Sequence, residues 1–94
     1  MIYPFLTLDD DTEIVHTEVL KDGSVKVRAE TPVFDGFNHL VVYLPSYRIA
    51  EVRNYTYDEF ERYMKIIRNS ADLIMHFAAH GGFDNAPPFQ DRKV

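Results

Sequence analysis

Polar and apolar residues alternate along residues 14–20 and 25–31, the two stretches on either side of Asp22-Gly23. Alternation with a period of two predicts β-strands with one buried face, and Asp-Gly between such strands is typical of a two-residue hairpin loop. With that loop, His16 pairs with Ala29. The sequence therefore predicts an antiparallel hairpin with one apolar face turned toward the core.

Three more stretches are predicted to be strands of the same sheet. Residues 2–8 are mostly apolar and end at an acidic turn, residues 9–11. Residues 38–44 are rich in aliphatic side chains and stop at Pro45, which cannot donate a hydrogen bond to a strand ladder. Residues 47–55 fit neither period cleanly, and we interpret them as a short edge strand.

The stretch between the hairpin and residues 38–44 is predicted to be a loop. Because proline has no N–H to donate, Pro32 is expected to end the strand that begins at residue 25. Residues 34–37, with the sequence Phe-Asp-Gly-Phe, then connect that strand to the next one.

Apolar residues recur every three to four positions through residues 57–80, which predicts a long amphipathic α-helix. Thr56 and Glu59 have the spacing of a capping box, in which each side chain bonds the backbone N–H of the other residue. Gly81-Gly82 is a typical C-terminal stop. We therefore expect an uninterrupted helix between these two signals.

Together these elements predict an α+β fold, an antiparallel β-meander of about four strands packed on one long C-terminal amphipathic α-helix. Residues 1–83 are expected to form a single domain, and residues 84–94 a flexible, polar tail. A helix over residues 57–80 is roughly 36 Å long, whereas a seven-residue strand spans only roughly 23 Å. An apolar helix face that overhangs its sheet needs another cover, so we predict a homodimer.

Composition limits the chemistry that the chain can perform. Its 94 residues include no cysteine, which excludes disulfides, thiolate catalysis and Cys-ligated metal centres. No stretch is apolar enough for a membrane helix and the first residues do not resemble a signal peptide, so we expect no membrane partner and a cytoplasmic location. The net charge is −5, and residues 1–20 contain no Lys or Arg. Without clustered cations, nucleic acid is not an expected partner.

Two surfaces are candidates for binding another protein. The acidic turn holds Asp9, Asp10 and Asp11, and an acidic face suits a basic partner. Tyrosines and arginines, which are enriched in interface hot spots, gather near the sheet-to-helix junction. This second set consists of Tyr43, Tyr47, Arg48, Arg53, Tyr55 and Tyr57. The alternatives are an ordinary solvated face and an ordinary core rim.

Asp72, His76 and His80 are spaced four residues apart on one predicted helix face, and such a spacing can hold a metal ion. The segment lacks the glutamate of an H-E-x-x-H motif. The alternative is a solvated helix end, where a protonated histidine favours the negative end of the helix dipole. No serine lies in a nucleophile elbow and no Gly-rich phosphate loop is present, so we expect no cofactor.

Three segments resemble a group of small bacterial proteins found with mobile elements and prophages. They are residues 3–16 (YPFLTLDDDTEIVH), Tyr43-Leu44-Pro45-Ser46-Tyr47 and Gly81-Gly82-Phe83-Asp84-Asn85-Ala86. The resemblance covers most of the chain and implies a bacterial, intracellular setting and a mobile-element role, without an activity or site residues.

In pattern, the chain also resembles HicB-type antitoxins, which open with Tyr-Pro and a strand that reaches an acidic turn. They too begin a later helix at a Thr-capped acidic stretch such as Thr56-Tyr57-Asp58-Glu59. In this chain the hairpin at residues 14–31 is longer and an extra strand precedes the helix.

Three functions follow from these observations. The sequence favours a small non-enzymatic protein-binding or regulatory protein, such as an antitoxin-like protein or an inhibitor encoded by a mobile element. The first alternative is a metal-dependent hydrolase that uses Asp72, His76 and His80. The second is a DNA-binding regulator, against which the missing basic patch argues.

Overall fold

The computed structural model describes residues 1–88, in which five β-strands precede one long α-helix and a 3₁₀ turn. The elements are β1 (Ile2–Thr7), β2 (Glu13–Thr17), β3 (Val25–Val33), β4 (Gly36–Leu44), β5 (Arg48–Arg53), α1 (Tyr57–Ala79) and the 3₁₀ turn (Phe83–Asn85). This arrangement confirms the predicted α+β class. The last six residues of the predicted tail, 89–94, lie outside the described range.

The strands form one antiparallel sheet in chain order, β1-β2-β3-β4-β5. Each strand pairs with the one before it, so every connection is a turn rather than a crossover. The sheet has one strand more than the expected four or so, because the ambiguous residues 47–55 do form an edge strand, β5. At the other edge, β1 contains Pro4 and an irregularity between Pro4 and Leu6.

The turn between β2 and β3 differs from the predicted two-residue loop. The Gly23 N–H donates to the Leu20 carbonyl (2.9 Å), and the Leu20 N–H donates to the Ser24 carbonyl (2.7 Å). Lys21, Asp22 and Gly23 therefore form a three-residue connection, with Gly23 at φ 85°. Such connections close on a left-handed residue, which glycine adopts without strain. The prediction of a two-residue loop was wrong.

The strand register also differs from the predicted one, and the three-residue turn accounts for only one residue of the difference. The other residue of the difference arises because residues 17–19 lie opposite only residues 25 and 26. His16 pairs with Val27 rather than with Ala29. Because the shift is two residues, each side chain keeps its face of the sheet. Ile14, His16, Val27 and Ala29 are all buried, as the alternating pattern predicts.

Both ends of α1 close as the sequence predicts. The Thr56 hydroxyl accepts from the Glu59 N–H (3.2 Å), and the Glu59 carboxylate accepts from the Thr56 N–H (2.8 Å). At the C-terminus, the Gly82 N–H donates to the Phe77 carbonyl (2.9 Å) across Gly81 at φ 81°, a Schellman-type end. Within residues 1–88, neither α1 nor the short 3₁₀ turn combines the length and apolar character needed to cross a bilayer.

The core lies between α1 and one face of the sheet, and α1 packs chiefly on β2, β3 and β4. Its buried members are Ile14, Val25, Val27, Ala29, Leu40, Val42, Leu44, Tyr63, Met64, Ile67, Ala71, Ile74 and Ala78. In residues 1–88 no helix covers the opposite face of the sheet, which we call the outer face.

The helix does not overhang the sheet with an apolar face, so this premise of the predicted homodimer was wrong. Tyr57, at its first position, is the only large apolar side chain of α1 that is strongly exposed. The strands are longer than assumed, since β3 and β4 each have nine residues and span roughly 30 Å. A helix of 23 residues spans roughly 35 Å, so helix and sheet nearly match in length.

At one end β3 and β4 continue past their neighbours as a two-stranded ribbon, residues 31–38, which we call the β-ribbon. The outermost pair of β2 and β3 at this end is Glu13 with Glu30, and that of β4 and β5 is His39 with Arg53. Beyond these two pairs only β3 and β4 continue to pair. The prediction that Pro32 ends β3 was wrong. At Pro32, β3 no longer has β2 as a neighbour, so an open edge tolerates the missing N–H.

Candidate functional site

A chain of hydroxyl groups crosses the molecule at the base of the β-ribbon. The Tyr55 hydroxyl contacts the Thr31 hydroxyl (2.8 Å), which contacts the Thr12 hydroxyl. Thr12 also donates to the Tyr63 hydroxyl (3.2 Å), and Tyr63 donates to the Asp10 carboxylate (2.6 Å). Because Thr12 and Tyr63 are buried, these bonds satisfy groups that water does not reach. The network fixes the acidic turn, the ribbon base and the helix relative to one another.

Asp10 is the charged end of this network. One carboxylate oxygen accepts from Tyr63 and lies 3.3 Å from the Arg62 guanidinium, and the other accepts from the Thr12 N–H (3.0 Å). These contacts, chiefly the Tyr63 and Thr12 hydrogen bonds, lower the pKa of Asp10 from 3.8 to about 2. Asp10, predicted as part of an acidic binding surface, therefore also anchors the acidic turn.

The other two carboxylates of the acidic turn face solvent. Asp9 and Asp11 are exposed, and the Asp11 N–H donates to the Leu8 carbonyl (3.0 Å). Asp58, also exposed, lies one helical turn before Arg62, the residue that contacts Asp10, and hence on the same helix face. Carboxylates from two different elements therefore project from one end of the molecule.

The β-ribbon adds apolar side chains to this end. Phe34 at its tip is fully exposed, Phe37 is 54% exposed and Val33 is 42% exposed. Residues 34–37 were predicted to be a connecting loop, so these side chains were not selected as candidates. The two phenylalanines on either side of Asp35-Gly36 were nevertheless a signal, because a connecting loop does not require them. The surface that we call the acidic–apolar end consists of Asp9, Asp11, Asp58, Val33, Phe34 and Phe37.

The structure does not bring the predicted tyrosines and arginines together in one cluster. They fall into two groups at opposite ends of β5, because the step from Arg48 to Arg53 corresponds to roughly 16 Å along a strand. In the first group the Arg48 guanidinium stacks on the Tyr43 ring at 4.4 Å. Tyr47 lies in the turn between them, exposed and at φ 62°.

The second group lies near the start of α1. The half-buried Tyr55 ring packs on Tyr63 at 5.0 Å between ring centroids, and burial raises the pKa of Tyr55. Tyr57 is exposed and donates to the Glu61 carboxylate (3.1 Å), which raises the pKa of Tyr57. Arg53 is exposed beside His39. Tyr55 is thus largely structural, whereas Tyr57 and Arg53 are available to a partner.

The outer face of the sheet carries charges of both signs. Arg28 lies 3.7 Å from Glu30. His39 Nε2 lies 2.9 Å from the Glu51 carboxylate, too poorly aligned for a regular hydrogen bond, and the nearby imidazole lowers the pKa of Glu51. Cations interleaved with carboxylates differ from the continuous basic patch typical of phosphate binding. That nucleic acid is not a partner stays a prediction.

The three residues predicted as metal ligands do not form a site. The rings of His76 and His80 lie 4.7 Å apart, and His76 Nε2 contacts the Pro87 carbonyl (2.7 Å). Asp72 is exposed one helical turn earlier. Throughout residues 1–88, no group of three ligand-type side chains is placed to hold a metal ion. The hydrolase hypothesis therefore gains no support from this helix.

A groove of about 450 Å³ lies between β1 and the residues that follow α1. Tyr3, Phe5 and Phe83 supply aromatic walls, and among residues 1–88 Asp84 is the one carboxylate that lines it. No histidine of the described residues lines this groove, so these side chains do not provide the paired acid and base that hydrolysis commonly uses.

Comparison with known proteins gives no match to this chain among protein-family models, curated proteins or solved structures. The resemblance to small proteins of bacterial mobile elements therefore stays a prediction. Within residues 1–88, no other element covers the acidic–apolar end or the edge of β5 that faces away from β4.

Proposed function

We propose that this protein is a small, non-enzymatic regulator that binds a basic protein through its acidic–apolar end. The observation that carries the proposal is the β-ribbon, which projects Val33, Phe34 and Phe37 into solvent beside exposed carboxylates. An apolar ribbon flanked by acidic groups matches an apolar pocket rimmed by Lys and Arg.

The apolar side chains of the β-ribbon are largely exposed, and Phe34 is buried by no neighbour within residues 1–88. Burial of a phenylalanine side chain is worth about 1.5–3 kcal/mol, which the fully exposed Phe34 forgoes in the free protein. Clustered exposed apolar groups on a small domain mark interaction sites. Aromatic residues that fill a partner's pocket commonly supply most of the binding energy.

The charges determine which kind of partner fits. Asp9, Asp11 and Asp58 face solvent, and Asp35 in the ribbon turn adds a fourth exposed carboxylate. The nearby Arg62 is paired with Asp10 and does not cancel them. Such a surface attracts a basic protein over a distance and speeds association at low salt. A second copy of this chain would meet repulsion here.

The hydroxyl network supports a binding role because it limits the entropy lost on association. It bonds Thr31 at the base of the β-ribbon to Thr12, which in turn bonds Tyr63 of α1. A surface held in place before binding loses less conformational freedom when a partner docks.

The concrete form of this proposal is an antitoxin-like protein or an inhibitor that neutralises a basic protein of a mobile element in the cytoplasm. The net charge of −5 and the resemblance to mobile-element proteins support this form. A homodimer stays part of the proposal, since two copies would present two acidic–apolar ends to one partner and increase avidity. No specific observation favours a metal-dependent hydrolase or a DNA-binding regulator.

The test is to purify the tagged protein from its source organism, identify a co-purifying protein and measure their affinity with both components pure. We expect a partner with a basic surface and a dissociation constant that rises with salt. The double variant Phe34→Ala/Phe37→Ala should weaken binding about tenfold or more, because it removes the apolar anchors.

The matched control is Phe83→Ala, which removes an exposed phenylalanine from the opposite end of α1 and should leave the affinity unchanged. Equal affinities for the wild type and the Phe34→Ala/Phe37→Ala variant would contradict the proposed surface. An affinity independent of salt would contradict a basic partner.

A further inference from the structure

β5 has an open edge within residues 1–88. It pairs with β4 alone, and all six of its residues are exposed. The opposite edge of the sheet is better protected, since β1 contains Pro4 and a bulge, and the 3₁₀ turn packs against it. β5 has one irregularity, at Ala50, after which Glu51 to Arg53 pair regularly with β4. This last part of β5 is therefore a free edge suited to another strand.

The helix side of β5 is also uncovered. Ile49 pairs with Val42 and Val52 pairs with Leu40, so Ile49 and Val52 lie on the same face as these two core residues. Even so, Ile49 is 46% exposed and Val52 is 44% exposed, because α1 packs chiefly on β2, β3 and β4. A strand added to this edge would bring apolar neighbours to both side chains.

The charges on the outer face of β5 indicate which strand fits. If two copies pair antiparallel with Val52 opposite Val52, Glu51 of each copy lies opposite Arg53 of the other. A pairing centred on Glu51 would instead oppose two carboxylates. A pairing centred between Ala50 and Glu51 would oppose Arg48 and Arg53 and would include the irregularity.

We infer that two copies of this chain associate through β5, antiparallel, around a two-fold axis at Val52. The two sheets then become continuous, and the acidic–apolar ends, which repel each other, stay free. Arg53, one of the predicted interface residues, lies within this contact, opposite Glu51 of the other copy. The inference gives a site to the dimer in the proposed function and does not depend on the basic partner. Because the paired segment is short, the dimer dissociates in the micromolar range or above.

The first test is a disulfide crosslink. The chain contains no cysteine, so Val52→Cys introduces a single thiol. Directly opposed residues of antiparallel strands have Cα atoms about 4.5–5.5 Å apart, within the range that a disulfide spans. Mild oxidation should convert Val52→Cys to a covalent dimer much faster than Val33→Cys, an equally exposed control on the β-ribbon. Equal or faster crosslinking of Val33→Cys would overturn the inference.

The second test is a charge exchange followed by sedimentation velocity from micromolar to near-millimolar concentration. Glu51→Arg or Arg53→Glu alone should raise the dimer dissociation constant roughly tenfold, because each opposes like charges twice. The double variant Glu51→Arg/Arg53→Glu should restore it. Glu30→Arg, the same change on the central strand β3, is the control and should have little effect. A wild type that is monomeric throughout, or a double variant as weak as the single ones, would overturn the β5 dimer.

These outcomes are separate from those that test the basic partner. The Glu51→Arg variant should still bind that partner through the acidic–apolar end. It should do so as a monomer, whereas the wild type should bind as a dimer. Phe34→Ala/Phe37→Ala should still dimerise with the wild-type dissociation constant.

Discussion

His16 is a fully buried residue with one bonded ring nitrogen. Nδ1 donates to the Thr17 carbonyl (2.8 Å), whereas Nε2 has no hydrogen-bond partner within residues 1–88 and the Tyr3 ring packs beside it. Protonation would bury an unpaired charge, so burial lowers the pKa of His16 below its ordinary 6.5. Below that pH the unfolded chain takes up the proton first. We therefore predict that the free energy of unfolding keeps its whole contribution from neutral His16 above about pH 6.5. This contribution decreases as the pH drops further.

Urea unfolding at about pH 7.5 and about pH 5.5 measures this effect. The wild type should lose more stability between the two values than His16→Leu, which has no titrating group at this position. Equal losses in the wild type and His16→Leu would show that His16 is not the group responsible.

Tyr63 and Asp10 should be coupled in stability and in titration. Tyr63→Phe removes the shortest hydrogen bond to the carboxylate, so the pKa of Asp10 should rise from about 2 toward 3.8. The free energy of unfolding at neutral pH should fall by about 1 kcal/mol or more. The contribution of Asp10 is present above pH 3.8 and disappears as the pH falls toward 2. An NMR titration of the Asp10 carboxyl checks the shift, and Tyr57→Phe, an exposed hydroxyl bonded elsewhere, should leave that titration unchanged.

At the scale of the helix, the capping box is the local feature with the clearest expected effect. Thr56→Ala removes the acceptor for the Glu59 N–H and should lower the free energy of unfolding by about 1 kcal/mol. Thr56→Ser keeps the hydroxyl and should cost much less. Urea denaturation with an unchanged slope checks both variants, and similar midpoints for Thr56→Ala and the wild type would contradict the role of the cap.

The elements were predictable to different degrees because their signals differ in range. The ends of α1 depend on residues three to five positions apart, so Thr56, Glu59 and Gly81 predicted them from the sequence alone. The β2–β3 hairpin kept its predicted faces, since these depend on the alternation of side chains. Its register depends on the length of the turn and on the extra residue in 17–19 opposite residues 25 and 26, and Asp22-Gly23 determines neither.

The β-ribbon was not predicted because it depends on the lengths of strands that are distant in the sequence. Pro32 ends a strand that has neighbours on both sides, but it is tolerated at an open edge, and only the lengths of β2 and β5 show that the edge is open. Without this non-local information, Phe34 is interpreted as a loop residue, so its proposed role could not be predicted.

For the whole molecule, local patterns predicted the fold class correctly, because alternating strands followed by one amphipathic helix leave few ways to bury both apolar faces. The helix does not overhang the sheet as predicted, because β3 and β4 have nine residues each and not the seven assumed for a strand. The candidate surface was predicted in part. The acidic turn was identified, whereas Val33, Phe34 and Phe37 became visible only when the register placed them beyond the sheet.

The molecule divides into a buried core that holds the fold and an exposed end that serves binding in the proposed function. Leu40→Ala, in the buried part of β4, should lower the free energy of unfolding by about 2–5 kcal/mol through lost burial and a cavity. Phe34→Ser, at the tip of the same hairpin, should change it by less than about 0.5 kcal/mol, because the ring contributes no buried area to the free protein. Urea unfolding of both variants provides the comparison. A loss in Phe34→Ser as large as that in Leu40→Ala would mean that the ring packs against the domain in solution, and the acidic–apolar end would then lack the exposed anchor on which partner binding depends.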